Sequence, residues 1–275
     1  VEVLSGYESA PEDVTLLLRD WFTLLNEGRR VTALGNSDTH RIDWLRAGYP
    51  RTWLRLPTEE PRRVLPDDLR EALVNMRAIA SMGPWVNLTV DGKGIGDTVA
   101  AGAQVKVRVE ADAPSWIDLT QVQLYQNGAL VKTLPIDARV DGRHPVLRQE
   151  VTLDISADGW LVAIATGDRP LPIDVIGAVM NGRAKPIALT NPVWLDRDGD
   201  GKITPSGGVG QPKPFGVSIS FSTMSCTSSA GATPKLTMSA SESSSRPNGL
   251  SVPPMRATRP SSASKRQARR MNTIA

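Results

Sequence analysis

Residues 1–40 read VEVLSGYESAPEDVTLLLRDWFTLLNEGRRVTALGNSDTH, and this stretch decides the fold class of the N-terminal part. Val1-Glu2-Val3-Leu4 has the composition of a strand entering a Ser-Gly turn. Residues 11–28 then carry helix signals. Pro11 suits the first turn, Glu12 and Asp13 face the positive helix end, and Gly28 can close it. Val14, Leu17, Leu18, Trp21 and Leu25 recur at helical spacing on one face. Val31-Thr32-Ala33-Leu34 follows as a short buried strand, then a loop over 35–56 and a second helix over about 67–80. Strand, helix, strand, loop, helix is the order of an α/β unit with parallel strands. Such units place their chemistry at the carboxyl ends of the strands.

The carboxyl end of the second strand is Gly35-Asn36-Ser37-Asp38-Thr39-His40, which holds one of the two histidines in the chain. On extended backbone, residues two apart project to one side, so Asp38 and His40 can reach one point. A carboxylate and an imidazole suit a borderline divalent ion such as zinc, manganese or iron. The plain structural alternative is an Asp-capped turn beside a surface histidine. Arg51, in Gly48-Tyr49-Pro50-Arg51-Thr52, is placed to fork onto a phosphate or carboxylate, or else to pair with an acid such as Asp43. No serine has a His/Asp partner set, so triad chemistry is unsupported.

Beyond Gly83-Pro84 the pattern changes. Val105, Val107 and Val109 alternate with polar residues, as do Val151, Leu153 and Ile155, and Asn127-Gly128 signals a hairpin between 121–126 and 130–134. Trp160–Ala165 reads as a central strand. Residues 85–205 therefore read as a β-sandwich domain, with Trp116, Trp160 and Trp194 in its core rather than on a sugar-stacking platform. Asp91-Gly92-Lys93-Gly94-Ile95-Gly96 opens no helix and is a turn, not a phosphate loop. Asp196, Asp198 and Asp200, followed by Gly201, form the front half of a calcium loop whose twelfth position is Gly207 instead of Glu. It reads as a tight acidic turn, with a weak calcium site as the alternative.

Residues 206–275 lose periodicity and read as a disordered tail; from Ser218 onward there are fifteen serines. Those last residues carry eight Lys and Arg against one Glu, so they hold +7 and leave −4 on residues 1–217 of a chain whose net charge is +3. The basic pI belongs to the tail, and no nucleic-acid binding is expected of the folded part. A nucleic-acid binder driven by the tail is a third and lesser option. Cys226 is the single cysteine, which excludes an internal disulfide framework and cysteine-based zinc sites. No apolar stretch is long enough to span a bilayer. The compartment is open: an upstream leader would imply the periplasm or secretion, and its absence the cytoplasm.

Several blocks, in order, resemble the PHP (polymerase and histidinol phosphatase) metal-dependent hydrolases, in the carbaryl-hydrolase-like branch. They are Val1–Gly6, Gly35–His40, Gly48–Thr52, Ser81-Met82-Gly83-Pro84, Ala113-Pro114-Ser115-Trp116-Ile117 and Thr190–Asp196, so the resemblance covers about residues 1–204. It implies an α/β plus all-β chain: residues 1–84 as the C-terminal part of a (β/α) barrel, then the β-rich domain. It implies that Asp38 and His40 match the last ligand pair of a metal cluster, while the family's earlier His-x-His has no counterpart here. His144 lies in an Asp-Gly-Arg-His turn of the β-rich part and does not replace it. The chain thus looks like the C-terminal piece of an enzyme that hydrolyses a phosphoester, or a related ester, amide or carbamate, through a metal-activated water. The small-molecule substrate itself is not specified. The competing reading is a non-catalytic β-sandwich binding module with a remnant of the barrel.

Overall fold

A computed structural model describes residues 1–6, 11–40, 47–136, 146–176 and 183–205. Asp43, His144 and the tail from 206 lie outside the described residues, and so do the expectations placed on them. The elements in chain order begin with β1 (Glu2–Ser5), α1 (Pro11–Asn26), β2 (Leu34–Asn36), β3 (Arg51–Leu54), α2 (Pro66–Val74) and β4 (Ala78–Ser81). There follow β5 (Trp85–Val90), β6 (Lys93–Gly94), β7 (Thr98–Ala100), β8 (Gln104–Asp112), β9 (Gln121–Gln126) and β10 (Ala129–Pro135). The last are β11 (Val146–Asp154), β12 (Gly159–Thr166), a single turn α3 (Ile173–Ile176), β13 (Ile187–Thr190) and β14 (Val193–Asp196).

β1 and β2 pair in parallel with α1 as their crossover, as the order of apolar segments requires. Val14, Leu18, Trp21 and Leu25 are fully buried, as is Phe22, which the stripe from the sequence left out. The Phe22 ring packs 4.7 Å from Trp160 and 5.7 Å from Tyr125. Asn26 caps that contact: its Oδ1 accepts from Trp160 Nε1–H at 2.8 Å, and its amide donates to the Asn127 carbonyl at 3.2 Å. The helix ends where Gly28 takes φ +74.

The main sheet has eight strands, ordered β10-β9-β12-β13-β4-β3, with β14 pairing β12 and β7. All eight residues of β12 are buried, so the apolar run at 160–165 is indeed a central strand. A four-stranded sheet, β11-β8-β5-β6, presents alternating buried residues from β5 and β8 to the same core. The hairpin at Asn127-Gly128 forms with both residues at positive φ, 51 and 87. The turn after β5 uses Asp91 and Gly92 in the same way.

The chain is therefore mainly β, with several sheets and none closed among the described residues. The helix expected over 67–80 stops at Val74, and Ala78–Ser81 is instead the buried strand β4 between β3 and β13. Met76, at φ +58, cannot continue a helix, and a short apolar run does not by itself distinguish strand from helix. β3 and β4 come from before residue 84 and β7, β9, β10, β12, β13 and β14 from after it, yet they share one sheet and one core. Among the described residues, no helix is long and apolar enough to cross a membrane.

Candidate functional site

β2 ends at Asn36, and the irregular residues that follow place Asp38 and His40 at the carboxyl end of the parallel pair. The position of β2 is held from both flanks. On one side the Thr52 hydroxyl accepts from Gly35 N–H at 2.9 Å and donates to Gly35 O at 2.8 Å, so a side chain completes the link between β2 and β3. Gly35 is required there: a Cβ would lie 2.9 Å from the Arg51 carbonyl oxygen. On the other side the buried Asn191 amide accepts from Ala33 N–H at 2.9 Å and donates to Ala33 O at 3.0 Å and Ala78 O at 2.9 Å. One side chain from the β13–β14 turn thereby ties the entry of β2 to β4.

The structure brings Asp38 and His40 together. Asp38 Oδ1 is 3.3 Å from His40 Nδ1, and Nδ1 is 2.7 Å from the Asp38 carbonyl oxygen. A carbonyl only accepts, so Nδ1 carries a proton, and in the neutral ring the lone pair is on Nε2. Both side chains are solvent-accessible, 39% for Asp38 and 65% for His40. Asp38 adopts φ +48, a region that aspartate tolerates better than most residues. Asn36 and Ser37, the neighbours expected to orient the ring, are engaged elsewhere. The Asn36 amide donates to Glu2 at 3.1 Å, and the Ser37 hydroxyl accepts from Thr39 at 2.9 Å. The orienting acceptor is the backbone of Asp38 itself.

Arg51, at the start of β3, forms no ion pair among the described residues. Its guanidinium lies 4.2 Å from the Tyr49 ring centroid and 5.7 Å from that of Trp53, and its buried Nε–H has no acceptor. These three residues line a cavity of about 790 Å³ with Trp85, Asp112 and Trp116. Trp116 is 59% exposed there, which overturns its placement in the core; Trp160 and Trp194 are buried as expected. Alternation and spacing could not separate these tryptophans, because Trp116 follows a strand and is not part of one.

The acidic loop after β14 also differs from the expectation. Carboxylate oxygens of Asp158, Asp198 and Asp200 lie within 4.8 Å of one another, a group that can hold a metal ion. Asp196 is not in that group: its two oxygens accept from Gly199 N–H at 2.8 Å and Gly201 N–H at 3.1 Å and so shape the turn. Asp158, from the turn between β11 and β12, takes its place. Burial works to raise the Asp158 pKa, but backbone N–H groups of Arg197, Thr204 and Asp198 outweigh it and hold the carboxyl below its ordinary value. The loop sequence carried two of these three carboxylates; one that lies 38 residues before Asp196 leaves no local signal.

Compared with known proteins, the chain matches no family model, and a search of curated proteins gives no match.

Proposed function

We propose that this chain contributes part of the metal site of a hydrolase of the PHP (polymerase and histidinol phosphatase) type, acting on a phosphoester or a related ester, amide or carbamate. The observation that carries the reading is the donor pair at the end of β2. The two side chains stand together, with His40 Nδ1 2.7 Å from the Asp38 carbonyl oxygen, so that Nε2 of the neutral ring would be the ligand atom beside the Asp38 carboxylate. Asp38 and His40 would hold the ion. When bound, it supplies a water of lowered pKa and a Lewis acid for the scissile group. Asp38 orients the imidazole through its carbonyl and supplies an anionic oxygen beside it. Arg51, whose charge no described carboxylate neutralises, would receive an anionic part of the substrate. The remaining ligands of such a cluster would come from outside the described residues.

Equilibrium dialysis against zinc and manganese tests this reading, with turnover of p-nitrophenyl phosphate and p-nitrophenyl acetate as the second readout. Asp38→Ala and His40→Ala should each lower metal uptake; if neither does, the assignment fails. For the acidic loop we propose calcium, because its donors are all oxygens and the loop has carboxylates at positions 3 and 5 followed by Gly201. Asp158 would stand in for the missing carboxylate of position 12. The runner-up function, a non-catalytic binding module, draws on the aromatic cavity around Arg51.

A further inference from the structure

The geometry points to the cavity at Arg51 as a binding site for an acidic sugar, a pyranose ring that carries a carboxylate. Three features combine. First, Tyr49, Trp53, Trp85 and Trp116 supply aromatic walls, and Trp53 and Trp116 remain 45% and 59% exposed. Exposed indoles gathered in the wall of one cavity mark a surface suited to a ligand. Second, the volume of about 790 Å³ falls in the range of small-molecule sites. Third, among the described residues one charge in the wall has no opposite partner. Asp112 is 3.7 Å from the Arg148 guanidinium, which itself sits 6.0 Å from the Trp85 ring. Among the described residues Arg51 is stacked on Tyr49 and has no ion pair and no acceptor for its Nε–H. A guanidinium held on a ring in this way is pre-oriented for a planar oxyanion.

The openness of the site selects among ring anions. A fully apolar ring gains most where both of its faces leave water, and here the walls are half exposed. A pyranose has an apolar C–H face to lay on an indole and hydroxyls that stay hydrated on the outer side. Its carboxylate would meet Arg51, with the Ser115 hydroxyl at the rim. This inference stands on the cavity alone and does not need a metal at Asp38 and His40.

The test is titration of the whole chain with trigalacturonate, followed by tryptophan fluorescence and calorimetry. Parallel arms use neutral galactotriose and benzoate. Trigalacturonate should bind saturably. Losing the ligand carboxylate, or replacing Arg51→Met, should weaken binding about tenfold or more, the range for a hydrogen bond to a charged group. Trp116→Ala, at an exposed position that leaves folding intact, should weaken trigalacturonate without abolishing the charge preference. The proposal is overturned if trigalacturonate does not bind, if benzoate binds tighter, or if Arg51→Met and Trp116→Ala both bind like the parent. Binding is read without turnover, so a failed metal pair and a failed sugar site give different results.

Discussion

Replacing Asn191 by Leu should destabilise the whole β-rich body and loosen the strand that carries Asp38 and His40. The Asn191 side chain is 0% exposed and has three partners: Ala33 N–H, Ala33 O and Ala78 O. Leucine fills nearly the same volume, so no cavity opens for a replacement water. Ala78 O keeps one bond, from the Asn191 backbone N–H at 3.1 Å. Ala33 N–H and Ala33 O lose their partner. At about 1–3 kcal/mol for each orphaned buried group, the loss is about 2–6 kcal/mol. A body of this size loses about 2–4 °C in Tm per kcal/mol, so a mid-range loss of about 4 kcal/mol lowers Tm by about 8–16 °C. Urea denaturation followed by tryptophan fluorescence measures this, with an unchanged slope showing that the unfolded state is the same. A loss below about 1 kcal/mol at unchanged slope would refute the claim that this amide anchors β2.

Other expectations follow from the same contacts. Thr52→Val removes the hydroxyl that serves both Gly35 N–H and Gly35 O; it should cost about 1–3 kcal/mol in denaturant unfolding and weaken metal uptake at Asp38 and His40. The Asp118 carboxyl is raised by burial but lowered more by N–H groups of Arg169 and Asp168 and by the Arg169 guanidinium, so its folded pKa lies below its unfolded value. Its contribution is therefore complete above the unfolded pKa and disappears as pH falls through the folded one. Asp118→Asn should lower stability at neutral pH and flatten the acid limb of a Tm-against-pH curve; an unchanged limb counts against it. Calcium at about 1–10 mM should raise Tm, and Asp158→Ala should remove that rise as completely as Asp200→Ala. A rise that persists in Asp158→Ala would place the ion elsewhere.

The parts of the fold legible from sequence are those set by local periodicity. The α1 stripe, the Asn127-Gly128 hairpin and the alternation of β8 each follow from neighbours within a few residues. What periodicity missed depends on partners far along the chain. Ala78–Ser81 looks helical until β3 and β13 claim its two edges. Trp116 looks like core until the residues around it leave it at a cavity wall. Asp38 and His40 were visible because they sit two apart just beyond the end of β2, although Asp38 at φ +48 is not on extended backbone. Asp158 was not, because it reaches the loop from the β11–β12 turn through the pairing of β12 with β14, a neighbour distant in sequence. The block Thr190–Asp196 is a middle case: its motif could be read, while the reason for Asn191 emerges only from its bonds to Ala33 and Ala78.

The most direct test of the metal pair uses the two imidazoles of the chain as reporters. Long-range proton–nitrogen correlation spectra recorded during a zinc titration read each ring nitrogen separately. The account predicts that His40 Nε2 shifts while His40 Nδ1 keeps its proton, that His144 is unmoved, and that Asp38→Ala weakens the response. If both His40 nitrogens hold still, or if Asp38→Ala titrates like the parent chain, the metal pair is refuted.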